Sequence, residues 1–245
     1  MKLVFNYVKD FIENLFKPKI IFYSKVPFLT VANTPIETKK EFSEIIKKVM
    51  PVFGKYNTHS QSIKKCPGII EYGKAGYILR AWQDIAITTC SSGDTFEWEM
   101  DDLNYFFNGD KIGKDVITWF PQELYFNHFP RKNTLKPTLK INTPWYVSLP
   151  KGYKLLYAPV WYDNEERFTV VPGILDPDLN DNLKVIIYWH SLGKTEVIKA
   201  GTPLVRLIPI KIEKWKAYVK EASDDIIKKS DSKIIKHYNG PQGRF

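Results

Sequence analysis

Apolar positions change their spacing along the chain, and the change divides it into three parts. Val4, Tyr7, Val8, Phe11, Ile12, Leu15 and Phe16 recur at helical spacing until Pro18 ends the pattern. Ile20 to Tyr23 is a short apolar run that suits a strand. Thr34 with Pro35 and Glu37 reads as the start of a second helix, whose apolar face is Phe42, Ile45, Ile46 and Val49. Its cationic side, Lys39, Lys40, Lys47 and Lys48, reads as solvated. From Gly68 to Ile210 the runs shorten and turn residues interrupt them. Tyr77 to Leu79, Ile85 to Ile87, Tyr146 to Leu149, Phe168 to Val171 and Lys184 to Tyr188 are expected strands of a mainly β sandwich or barrel-like domain. Helical spacing returns in Trp215, Tyr218, Val219, Ala222, Ile226 and Ile227, and a polar tail, 239–245, follows.

The expected organisation is therefore an N-terminal decoration over 1–67, a β core over 68–210, and a C-terminal helix and tail over 211–245. Within the core, about 91–137 is less regular and rich in aromatics, and reads as an insertion. Composition agrees: the chain has 245 residues, 44% hydrophobic and 15% aromatic, enough for one sizeable folded core. The net charge of +9 comes mainly from Lys rather than Arg, which favours a solvated surface over directed phosphate contacts. Nucleic-acid binding is allowed by that charge, but no recognition motif accompanies it. Cys66 and Cys90 have neither disulfide-framework nor metal-ligand spacing, each lying in a turn sequence, and His59, His128, His190 and His237 form no metal triad. No metal is expected and no cofactor is indicated. No apolar run is long enough to span a bilayer, so no membrane partner is expected and a reducing cytoplasm is the expected location.

Three segments, in order, resemble the trimeric dUTPase family, whose fold is shared with the dCTP deaminases. Lys74 to Ala81 with Asp84 to Ile87 is similar to the opening motif. Val147 to Tyr153 with Tyr157 to Trp161 is similar to the second. Pro172 to Asp178, Leu183 to Tyr188 and Lys199 to Ile208 resemble the third motif, its strand and the closing strand. The resemblance implies a dUTPase-like β-clip or barrel core with helical decorations at both ends, assembled as a homotrimer with sites at subunit contacts. The chain also resembles proteins of tailed marine phages, which brings no activity with it.

The departures fall on the polar residues. Ile78 stands where the resemblance implies a motif Asp, Val160 and Trp161 where it implies an Arg and a Ser, and Leu179 where it implies a Tyr beneath the sugar. Asp176 alone keeps the matching carboxylate, and Arg206 replaces a Gln. Triphosphate hydrolysis needs directed, charge-matched groups around developing charge, and Ile, Val and Trp supply no charged group. Ordinary dUTP hydrolysis is therefore not expected. Asp176 is the candidate catalytic residue, and Tyr77, Trp161, Asp176, Asp178 and Arg206 are the candidate ligand-binding residues. The leading expectation is a non-catalytic or repurposed binding protein that takes a small ligand or a protein partner at an inter-subunit cleft. One alternative is a nucleotide or small-metabolite enzyme with Asp176 as general base and Arg206 or Lys199 stabilising charge. Another is a virion structural or decoration protein. His190, the acidic run Asp163, Glu165 and Glu166, and Asp84 read as structural or solvated. Most of Trp145, Trp161, Trp189, Tyr157 and Tyr162 read as core packing.

Overall fold

The computed structural model describes residues 17–48, 66–100, 106–107, 110–111, 115–121 and 133–239. In chain order the strands are β1 Ile21–Ser24, β2 Ile36–Glu37, β3 Tyr77–Arg80, β4 Ile85–Thr89, β5 Phe96–Met100, β6 Phe106–Phe107, β7 Asp110–Lys111 and β8 Ile117–Phe120. They continue with β9 Thr138–Ser148, β10 Tyr153–Ala158, β11 Phe168–Val170, β12 Gly173–Leu175, β13 Asn182–Trp189, β14 Thr195–Ile198 and β15 Pro203–Lys211. The helices are α1 Thr38–Lys48, α2 Pro67–Lys74 and α3 Asp224–Asn239, with a 3-10 turn at Pro27–Thr30.

The chain is mainly β, and every strand pair is antiparallel. One sheet runs β1-β9-β13-β11, and the long β9 also pairs β8 along the edge it offers β1. A second runs β12-β10-β15-β3-β2, and a third β14-β4-β5. Strict alternation explains how the sheets share one core. In β13, Leu183, Val185 and Ile187 are buried while Asn182, Lys184 and Ile186 face outward; in β9, Leu139 and Ile141 point in and Lys140 and Asn142 out. The inward faces meet around Trp145, Trp189, Leu79, Ile85 and Leu155.

Trp189 stacks on Phe168 and donates its indole N–H to Ser191 O at 2.8 Å, whereas the equally buried Trp145 Nε1 has no acceptor. The two tryptophans should therefore respond differently to Phe. Trp189→Phe is expected to cost about 2 kcal/mol in urea unfolding, from lost volume and a lost bond. Trp145→Phe should cost less than about 1 kcal/mol, because removing an unsatisfied donor offsets the volume lost.

A smaller cluster holds the N-terminal part to this core. Phe42 and Ile46 of α1 pack on Ile70 of α2 and on Tyr162. The helices approach so closely at Gly73 that a Cβ there would lie 2.2 Å from the Phe42 ring.

Several expectations are corrected. The second helix starts at Thr38, not Pro35, because Ile36 and Glu37 add to the sheet edge opposite Ile78 and Tyr77. Cys66-Pro67-Gly68 begins α2 rather than forming a turn, since Pro at the first helical position presets φ and has no N–H to leave unsatisfied. A core boundary between 67 and 68 thus falls within the first turn of a helix. At its ends the stretch 91–137 adds to the sheets and the core: β5 pairs β4, β8 pairs β9, and Val116, Ile117 and Leu135 join the core. Trp215, Tyr218, Val219 and Ala222 do not lie in a helix, which begins only at Asp224. They belong to an exposed segment without regular structure, with Trp215 85% and Val219 100% accessible. The expected first helix, Val49 and the tail 240–245 lie outside the described residues.

Candidate functional site

Three places in the fold divide the candidate residues between them. Asp176 follows the last residue of β12, where Leu175 pairs Leu155 of β10. Its backbone carbonyl accepts from Leu179 N and Asn180 N, both at 3.0 Å, and its Oδ1 accepts from Asp178 N at 3.2 Å. This is an Asx-type turn, which the Asp-Pro-Asp sequence favours locally. Asp176 Oδ2 meets Lys154 Nζ at 2.6 Å. The hydrogen bond from Lys154 holds the Asp176 carboxyl below the ordinary carboxylate range. Asp178 and Leu179 are exposed in the same turn.

Arg206 is elsewhere and has a different environment. It lies opposite Ala158 on β10, whereas Asp176 is level with Lys154, which lies opposite Ile210. Four residues of strand separate the two levels, roughly 13 Å. Arg206 is fully buried. Its Nε donates to Ala75 O at 2.9 Å and its Nη2 to Tyr72 O, and the guanidinium lies 4.3 Å from the Tyr72 ring centroid. Burial lowers its pKa. Its Nη1 and the nearby buried Tyr162 hydroxyl have no partner. Burial pushes Tyr162 up to about 12, so it stays protonated. Trp161, 44% exposed, packs on Phe42 and Tyr162 with ring centroids 5.9 and 5.6 Å away. Arg80 from β3 completes the region, donating to Gly201 O at 2.6 Å and pairing with Glu41 of α1. Tyr77 is apart again, edge-on to Phe22 at 5.3 Å, its hydroxyl pKa raised by burial and then by Glu37.

Within one chain, then, the structure brings Trp161 and Arg206 into the same region and keeps Asp176 and Tyr77 away from it. The other expected charge stabiliser, Lys199, pairs with Asp84 at 2.6 Å. His190 bonds Thr169 Oγ1 at 2.7 Å and Thr134 Oγ1 at 3.3 Å, a structural role. In the acidic run, Glu165 departs from the solvated reading: it pairs with Arg167 at 2.5 Å, and burial raises the pKa of Asp163. The thiol of Cys90 is drawn down to about 6, first by a hydrogen bond with Ser92 and then by Thr95. Among the described residues, no group of three or more His, Cys, Asp or Glu could hold a metal, and no helix is long and apolar enough to cross a membrane.

A cavity on the Asp176 side was not anticipated. It is an open groove of about 310 Å³ between the 171–175 crossover, the 180–182 turn and the outer faces of β9 and β13. Its polar groups are Lys140, Lys184, Asn180, Asn182 and Tyr157, and Ile174, Leu175 and Ile186 supply apolar wall. The alternation Leu139-Lys140-Ile141-Asn142 and Leu183-Lys184-Val185-Ile186 does mark these lysines as outward-facing. That β9 and β13 are neighbours is what the alternation does not reveal.

No protein-family model and no curated protein matches the chain. Among solved structures it is similar to the dUTPase of Staphylococcus bacteriophage 80alpha, with 11% identity over 84% of this chain and 97% of that one and a TM-score of 0.37. It is also similar to the dUTPase from phage phi11 of S. aureus, with 14% identity over 72% of this chain and 90% of that one and a TM-score of 0.33. Identities and scores this low say nothing of substrate or mechanism.

Proposed function

We propose that this chain is a binding protein on a repurposed dUTPase-like scaffold, taking a small ligand or a protein partner without hydrolysing a nucleotide. One observation carries the reading. Asp176, the sole carboxylate kept from the motifs, is tied into its own turn and ion-paired with Lys154. A general base must be free to take a proton, and an ion pair that favours the charged form lowers its basicity. The two cations assigned to charge stabilisation are occupied as well, Arg206 by the carbonyls of α2 and Lys199 by Asp84. Ile78, Val160 and Trp161 add no charged group.

The inter-subunit arrangement belongs to the same proposal. A homotrimer would let a neighbour's surface meet the Asp176 turn, where Ile174 and Leu179 are 55% and 86% exposed. Sedimentation should then give three chains per particle; a strict monomer at micromolar concentration removes the shared cleft.

The activity test is direct. With dUTP and Mg²⁺, phosphate or pyrophosphate release is expected to stay at background for the native chain and for Asp176→Ala alike. Turnover that Asp176→Ala abolishes would overturn the binding reading in favour of an enzyme with Asp176 as base. A thermal-shift screen across nucleotides, phosphorylated metabolites and neutral small molecules is expected to give at least one ligand that raises the melting temperature.

A further inference from the structure

The charge of the cavity beside the Asp176 turn has no internal explanation. Lys140 lies opposite Ile186 and Lys184 opposite Asn142, so the two lysines are diagonal neighbours on one sheet face. Diagonal positions are about 7–8 Å apart, within reach of long side chains, and like charges so placed repel. Among the described residues no carboxylate forms an ion pair with either one. Asp176, next in sequence to the lining residue Leu175, is engaged by Lys154. Lys140 rests 4.8 Å from the centroid of the Phe120 ring, and burial, then the charge of Lys184, lowers its pKa.

A second observation stands apart from the lysines. Tyr157, 6% exposed, lines the same cavity; the Lys184 backbone N–H approaches its hydroxyl oxygen, but its hydroxyl proton has no acceptor. Burial raises its pKa, so the group is a protonated donor at neutral pH. Buried donors without acceptors are costly and rare, so one carried by a residue that lines a cavity points to an acceptor brought from outside. Two ammonium groups, a phenol and the amides of Asn180 and Asn182 surround that space, with Ile174, Leu175 and Ile186 as its apolar side.

We infer that this cavity is an anion site for a small phosphate monoester, whose dianionic head sits between Lys140 and Lys184 and accepts from Tyr157, with its apolar body along Ile174, Leu175 and Ile186. The two point charges balance a monoester dianion, and Lys suits phosphate in this non-bidentate way. A volume near 310 Å³ is at the small end of ligand pockets, which fits one ring and one phosphoryl group. The inference rests on the small-ligand form of the binding reading. It does not need a trimer, because one chain lines the cavity.

The test is calorimetric titration of the full chain with phenyl phosphate, with inorganic phosphate, benzoate and phenol as separate arms. Phenyl phosphate is expected to bind, phenol not to, and inorganic phosphate to bind more weakly. Lys140→Met and Lys184→Met should each weaken phenyl phosphate by about tenfold or more, as loss of one charge-assisted contact implies. Tyr157→Phe should weaken it several-fold, and Lys216→Met, on the exposed segment, should leave it unchanged. Either Lys→Met change relieves repulsion, so melting of the free protein should not fall, which separates lost binding from lost folding. Phenyl phosphate affinity indifferent to both lysines, or preferential binding of benzoate or phenol, overturns the anion site while the binding reading stands. A chain stabilised by no small molecule of any charge and captured by no protein partner loses both.

Discussion

Gly76→Ala is expected to lower the unfolding free energy by about 4 kcal/mol, or to leave the chain unfolded. Gly76 has φ of +84°, and a Cβ built there lies 2.2 Å from the carbonyl oxygen of Leu207. The left-handed backbone alone costs a non-glycine residue roughly 1–2 kcal/mol. The larger part is the clash, because Leu207 is held in register opposite Tyr77 and its carbonyl cannot retreat without opening the β3–β15 ladder. Gly76 O also accepts from Thr38 N at 3.0 Å, so displacement would reach the first turn of α1. Gly152 is the control: its φ is +85° and nothing lies within 4 Å of an added Cβ. Gly152→Ala should show the backbone cost alone, roughly 1–2 kcal/mol. Urea unfolding of the two variants measures the clash as their difference, and equal losses would remove the argument from close approach.

Arg206→Ala is expected to cost about 3–4 kcal/mol, from two charge-assisted hydrogen bonds lost and the Ala75 carbonyl left without its donor, while Tyr72 O keeps Ala75 N at 3.2 Å. The carbonyls of Tyr72 and Ala75 lie at the end of α2, where helical donors run out. The buried guanidinium serves Ala75 O and adds a second donor to Tyr72 O, which also accepts from Ala75 N. Arg206→Lys should recover only part, since one ammonium does not reproduce the planar fork that reaches both carbonyls and lies over Tyr72. Arg206→Met separates charge from volume, and a smaller loss than for Ala is expected because both remove the charge but Met fills most of the space that Ala leaves empty. Hydrogen exchange should localise the effect: amides of 69–75 are expected to lose protection before those of β13. Uniform loss across both would mean that Arg206 supports the whole sheet and not the helix end.

Much of the β framework was legible because its signals are local. Gly173 to Asn182, the Ala200-Gly201 turn and the alternation in β13 announce strands and turns on their own. What stayed hidden depends on contacts between distant segments. β2 is two residues long and is a strand only because β3 lies beside it. Helical spacing in Trp215 to Ala222 records a period but not a surface to pack against, and among the described residues none covers it. Arg206 looked like a ligand group because arginines in clefts bind anions, yet its neighbours on β3 and α2 bury it. Lys140 and Lys184 are far apart in sequence and meet only through the β9–β13 register. The motif comparison led to Asp176, which does sit beside a cavity, but the polar groups inside that cavity lie outside every motif.

The pairing of β3 with β15 sets the order in which this molecule comes into being. Tyr77 finds Leu207 only after more than half the chain has been made, and β1 likewise waits for the end of β9. Until then Ile78, Leu79 and the apolar sides of α1 and α2 have no sheet to close against. High contact order of this kind slows folding, and during synthesis the early segments emerge with their β15 partner still untranslated. The ribosome therefore releases β3 with its edge unpaired until β15 emerges, and yield on expression is expected to fall with the length of that interval of exposure.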